Sequence, residues 1–316
     1  MSRSAPRRGS LQFYPRKRVS KFLPRVNWDA IKSNNSLFGF IGYKVTMASM
    51  LAKDSTPDSL TKNKNITIPV TILEIPPIKL FSARFYKDNN LVKEVILETP
   101  DKELKKLIKL PKEYKIKLED IKEESYNDVR VMIYSIPKKT SIKKKPDMTE
   151  VSLNGDVKSK LEFIKSHSGK EILGTEILKE MKLLDVRGLT KGKGLSGPVK
   201  RFGITLKAHK SEKGVRRPGN VGSFHPSRVS FRVPMAGQLG MFNRITYNKK
   251  VLQLGKISEK DINPEKGFKN FGKIKTEYIV LQGSVPGPSK RQLLLTAPLR
   301  PTKKQLKLNY EPIRLI

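Results

Sequence analysis

Three histidines and no cysteine leave this chain of 316 residues few groups for covalent chemistry. His225 lies between Phe224 and Pro226, with Ser223 and Ser227 close on either side, so a hydroxyl nucleophile and a base are neighbours in sequence. The carboxylate that would orient the base is missing, because Glu212 is the single acid between Arg187 and Lys250. An isolated imidazole held by a ring and a proline reads instead as a packing or stacking group. Paired general acids and two-metal carboxylate sites need at least two acids together, which excludes them from this region. The acids gather instead between Asp88 and Asp128, where lysines alternate with them and the charge nearly cancels, as on a solvated surface. We expect no catalytic residue, no metal site and no cofactor.

Gly188 to Pro198 (GLTKGKGLSGP) is a second candidate. Its glycines permit close backbone approach, its N–H groups suit phosphate, and Lys191 and Lys193 are point charges. A nucleotide-binding loop would need Gly, four residues, then Gly-Lys-Ser/Thr opening a helix; here Leu195 follows Gly194 and Pro198 comes soon after. Contact with the phosphates of a polymer fits the spacing better.

Charge supports that reading. From Arg187 to Lys250 there are fifteen Lys and Arg against one acid, a net +14 in 64 residues. The first 26 residues carry eight more cations and no acid, among them Arg7, Arg8, Arg16, Lys17 and Arg18. Together these two segments hold +22 of the chain's +36. Charge so concentrated marks the binding of a polyanion. Within the central segment, Lys200-Arg201-Phe202, Lys213 with Arg216 and Arg217, and Phe224-His225 with Arg228 interleave cations, rings and backbone kinks. Arginine bridges phosphates or stacks on bases, and Phe or His stacks on unpaired bases, which is how folded RNA is engaged. Prolines and glycines such as Pro218, Gly219, Gly222 and Pro226 favour an ordered finger over a disordered tail. Neither basic segment has the wide apolar helical face that docking on a lipid surface requires.

The elements that must carry these segments are mostly strands. Phe38 to Met47, Ile66 to Glu74, Val129 to Ile136, Lys182 to Leu189, Lys250 to Leu254, Thr276 to Val285 and Gln292 to Thr296 are short, aromatic or β-branched runs. Leu80 to Tyr86 and Leu91 to Glu98 form a hairpin around Asp88-Asn89-Asn90. Asp156 to His167 has helical spacing, and Asp101 to Tyr126 reads as a solvated helical insertion. Lys138 to Lys145 is a lysine-rich connection between two prolines. The strands before Leu189 and after Lys249 need one another to cover a core, which predicts a barrel or sandwich. No run is apolar enough to span a membrane, and the N-terminus has Arg and Pro where a signal peptide needs an apolar stretch.

Six stretches, in order, resemble a known family over nearly the whole chain: GSLQFYPRKR from Gly9, FIGYKVTM from Phe40, VRGLTKGKGLSGPVKRFG from Val186, GNVGSFHPSR from Gly219, AGQLGMFNRIT from Ala236 and VLQGSVPGP from Val280. The chain resembles the universal third protein of the large ribosomal subunit, in its archaeal and eukaryotic form. The resemblance implies a mainly β fold with a closed barrel of the translation-factor type and a small helical insertion. It also implies a basic N-terminal extension and a long central finger that binds large-subunit ribosomal RNA and reaches towards the peptidyl-transferase centre. Position by position, Phe224 stands at the finger tip and Phe202 after the arginine, where many relatives have Trp. Glu212 falls at a finger His of other relatives, and Gln238 at a glutamine that bacterial relatives methylate. Arg244, the one cation of the AGQLGMFNRIT stretch, is expected with the other cations to contact ribosomal RNA.

The resulting expectation is a structural, non-enzymatic constituent of the cytoplasmic ribosome whose partners are ribosomal RNA and neighbouring large-subunit proteins, with no membrane and no small-molecule substrate. Its layout is a basic extension over residues 1–36, a barrel over 37–197 and 244–300 with the insertion near 99–127, a finger over 198–243 and a tail over 301–316. An RNA-modifying enzyme holding substrate on the same surface is the alternative, and it lacks an acid–base constellation. A chromatin protein would need a groove-reading helix or ribbon, and the finger has neither period.

Overall fold

The computed structural model describes residues 8–97, 101–111, 118, 121, 125–210 and 213–316. The chain divides into two compact units, one formed by residues 22–188 and 244–316 and a smaller one by 1–21 and 189–243.

The larger unit is built from two antiparallel sheets. Its longest strand, β1 (Gly39–Asp54), begins with seven consecutive buried residues. It is followed by β2 (Asn65–Ile75), β3 (Ile78–Lys87) and β4 (Asn90–Ile96). The β3–β4 turn is the expected hairpin, with Asp88 and Asn89 both at positive φ. After β5 (Asp128–Ser135) and β6 (Met148–Ser152) come the helices α1 (Val157–His167) and α2 (Gly174–Leu178), then β7 (Leu183–Leu189). The chain leaves for the smaller unit, where β8 (Leu195–Ser196), α3 (Pro198–Phe202) and β9 (Gly237–Gln238) lie, and returns along β10 (Asn243–Lys256). The last elements are β11 (Glu277–Gln282), β12 (Gln292–Thr296), α4 (Lys303–Lys307) and β13 (Tyr310–Leu315). The seven-stranded sheet has the order β12-β7-β10-β11-β2-β1-β13, and the four-stranded sheet the order β4-β3-β5-β6.

The mainly β class is as expected, and the finer expectation of a translation-factor barrel is not confirmed. One flank of β1 is divided between two strands: Gly39–Tyr43 pairs with β12, and Met50–Asp54 pairs with β13 across a register shift. Residues 310–315, expected as tail, are therefore an outer strand with an open flank. Strand β12, at one end of that order, thus also pairs with β1, and the apolar face of the sheet packs against a second layer. One core joins Phe40, Ile41, Leu73, Val186 and Leu294 of the larger sheet to Ala83, Phe85, Val131 and Val151 of the smaller one. Part of the helical insertion expected near 99–127 lies outside the described residues. Its described part is a 3₁₀ turn over Lys102–Lys106 that buries Leu104 against Phe81 and Tyr134.

Leu23, Trp28 and Ile31 are buried in the same core, so residues 22–36 belong to the larger unit and not to the basic arm. Gly39 makes room for them: a Cβ there would lie 2.9 Å from the Trp28 ring. Long-range polar contacts fasten the strands. Asp185 on β7 accepts from the Asn248 and Leu299 N–H groups. Glu277 on β11 accepts from the N–H and hydroxyl of Thr175, closing the first turn of α2.

Glu74 is fully buried. Its Oε1 accepts from Lys275 N, Thr276 N and Thr276 Oγ1, whereas Oε2 has no partner among the described residues. Burial pushes its pKa up, with those hydrogen bonds opposing. The folded chain therefore holds this proton more tightly than the unfolded chain, so Glu74 contributes stability below its unfolded value of about 4.3 that is lost as pH rises through the folded pKa. Glu74→Gln keeps the acceptor and removes the charge. Denaturant titrations at stepped pH should show wild type losing stability relative to the variant as pH climbs above about 4. Parallel curves would mean that the carboxylate titrates normally.

Candidate nucleic-acid interface

In the smaller unit the described chain from 204 to 236 has no helix or strand, so its shape comes from turns and side-chain anchors. Its base is a short ladder. The glycine–lysine segment pairs with the AGQLG segment through β8 and β9, through Lys193 N to Leu239 O at 2.9 Å, and through Leu239 N to Gly194 O at 2.9 Å. Gly240 is obligatory there: at φ 79° a Cβ would meet the Lys191 carbonyl oxygen at 2.0 Å. The segment is thus a strand partner and no nucleotide cradle, while the side chains of Lys191 and Lys193 stand exposed on its outer side.

Phe202 and Arg201, both expected to meet RNA, are used inside the unit. Arg201 donates from Nε to the Gln238 carbonyl and from Nη1 to the Met235 carbonyl, both at 3.0 Å. Burial, reinforced by the charge of Arg16, lowers its pKa. Phe202 is buried under the N-terminal arm. The Arg16 guanidinium lies 4.4 Å from the Phe202 ring centre and 5.1 Å from that of Tyr14, and its Nη2 donates to the Ser10 carbonyl at 3.0 Å. Contacts of this kind stabilise by about 0.5–2 kcal/mol each, depending on exposure. Tyr14 in turn packs edge-on against Phe231 at 5.2 Å. The arm of residues 8–19 is joined at its other end by Val19 N to Met241 O at 3.3 Å. Sequence reading missed Tyr14 as an anchor; the aromatic–proline–arginine run Phe13 to Arg16 was the signal that could have found it.

The other sites stand outward. Arg8, Lys17, Arg18, Lys200, Lys213, Arg216, Arg217, His225 and Arg228 are exposed. Phe224 is 85% exposed, and its ring contact is the adjacent His225, edge-on at 5.1 Å. It does not join Phe231, which faces Tyr14, so the turn around Phe224 is not held by a ring cluster. Gln238 is half-buried, its amide donating to the Leu239 and Gly240 carbonyls. Arg244 is half-buried at the start of β10, in the larger unit. Arg7 and Glu212 lie outside the described residues. Among the described residues no acidic or histidine cluster could hold a metal, and no helix is long and apolar enough to cross a membrane.

Comparison with known proteins decides what family builds such a unit. The model of the family described as Ribosomal protein L3 matches residues 1–101 and 98–316, which together span the chain. The chain belongs to the ribosomal protein L3 family. It is similar to the large ribosomal subunit protein uL3 of Methanosphaera stadtmanae, 40% identical over 95% of this chain and 94% of the relative. The proteins of the same name from Methanobrevibacter smithii and Methanocaldococcus jannaschii are each 38% identical, over 95% and 96% of this chain and 93% and 94% of theirs. The family is one of structural ribosomal proteins and not of enzymes.

Proposed function

We propose that the chain is a structural constituent of the large ribosomal subunit that uses its smaller unit, the N-terminal arm together with residues 198–243, as a finger embedded in ribosomal RNA. The observation that carries the proposal is the division of labour inside that unit. Arg16, Arg201, Phe202, Tyr14 and Phe231 hold the arm and the base together, which leaves the exposed lysines and arginines and the ring of Phe224 for a partner. Affinity then comes mainly from phosphate neutralisation, and specificity from the shape of the RNA crevice. Neighbouring ribosomal proteins are further partners on this reading, and Gln238, with its amide already engaged, is a positioning residue for the base.

Phe224 is the group to test. Its ring lies open and is not part of the unit's scaffold, so Phe224→Ala should remove a stacking contact of about 1–3 kcal/mol while leaving the unit's shape intact. The expected result is altered chemical footprints confined to nucleotides beside the tip, with subunit assembly preserved and tRNA accommodation or peptide-bond formation slowed. Phe224→Trp should be tolerated, because the larger ring can make the same stacking contact. Weakened footprints along the whole stretch from Arg201 to Arg244 would contradict an exposed tip.

A further inference from the structure

The run Lys138 to Lys145 (KKTSIKKK) contains five lysines and no acid, and the interface above does not use it. It belongs to the larger unit and is held firmly at both ends. Pro137, Thr140 and Pro146 are buried, and Thr140 Oγ1 donates to the Pro137 carbonyl at 2.8 Å. At the far end the Tyr43 hydroxyl donates to Asp147 Oδ2 at 2.5 Å, and Asp147 N donates to the buried Ser135 Oγ at 3.2 Å. Between these anchors Ser141 takes a positive φ of 58° and accepts from Lys275 Nζ at 2.8 Å. Lys138, Lys143 and Lys144 line an open cleft of about 600 Å³, facing Glu103 and Lys106 across it.

The charges in this cleft do not balance. Lys138 lies 3.5 Å from Glu103, and Lys143 pairs with Asp147. Lys106 and Lys144 have no ion-pair partner among the described residues, and Lys275 adds a further cation at the rim. Ile142 is the one hydrophobic residue among the described lining residues, and the other apolar surface there comes from the stems of lysines that carry ammonium heads, so the cleft offers a bound peptide few apolar anchors. Compact ammonium charges on a rigid loop suit spaced phosphates read without regard to base.

We propose that this cleft is a second RNA contact, one that takes the phosphate backbone of a segment other than the segment engaged by the smaller unit. It rests on the ribosomal reading above. The test uses the full chain with large-subunit ribosomal RNA and the variant Lys106→Gln/Lys138→Gln/Lys144→Gln, which leaves Lys143 and its pairing in place. Three fewer phosphate contacts should make the slope of log affinity against log salt shallower by about 2. Backbone-cleavage protection should vanish over one stretch of RNA, whereas Arg216→Gln/Arg217→Gln/Arg228→Gln should remove protection elsewhere. An unchanged slope and unchanged protection in the lysine variant, beside a normal wild type, overturns this contact alone. Shielding of these lysines from amine-modifying reagent by a glutamate-rich peptide but not by RNA also overturns it, in favour of an acidic partner. A wild-type slope near zero overturns the ribosomal reading and this contact together.

Discussion

Replacement of residues 205–233 by a short glycine linker is expected to leave a cooperatively folding protein that no longer enters large subunits. The removed stretch has no helix or strand among its described residues, and every recorded strand pairing lies outside it. The Tyr14–Phe231 contact goes with it, but α3, the β8–β9 pair, the Arg16–Phe202 contact and the Arg201 brace to Met235 and Gln238 are retained and hold the base. Closing the shorter loop changes the entropy by little. What disappears is seven cations, Lys207, Lys210, Lys213, Arg216, Arg217, Arg228 and Arg232. Neutralisation of as many phosphates would account for about 5 units of the salt slope. A salt titration of RNA binding checks this directly: a slope that survives the deletion would place the interface elsewhere, and a broad, non-cooperative melt would show that the finger supports the core.

Trp28→Ala is expected to act in the opposite way, on stability and not on RNA. This single tryptophan is 3% exposed and packs against Gly39. Truncating a buried ring of this size costs about 3–5 kcal/mol, because the cavity collapses only in part. Denaturant unfolding followed by circular dichroism should show that loss, with the salt slope of RNA binding unchanged. A loss below about 1 kcal/mol would be the behaviour of a surface residue and would return residues 22–36 to the basic arm.

That contrast shows how far the residues alone could be read. Periodicity exposed β2, β5, β7, β11, β12 and α1, because each carries its apolar positions within a few residues. It could not expose β6, whose five mixed residues become a strand only by lying beside β5. Nor could it expose α2, whose first turn is closed by Glu277 from about a hundred residues away. The edge of the larger sheet was hidden for a related reason: how β1 divides one flank between β12 and β13 is a property of pairing, to which its own sequence gives no clue. In the candidate interface, charge marked segments in which most of the described lysines and arginines are exposed. Charge alone could not tell a cation aimed at solvent from one aimed at a carbonyl, so Arg201 and Phe202 read like Arg228 and Phe224 although the first pair is scaffold.

The most direct measurement is sedimentation of the endogenous protein through a sucrose gradient before and after a high-salt wash of the ribosomes. A protein held by an arm and finger folded into RNA, with many contacts that must break together, should travel with the large subunit and remain there after the wash. Release of the protein into the free fraction at moderate salt, or its absence from large subunits altogether, would contradict the account.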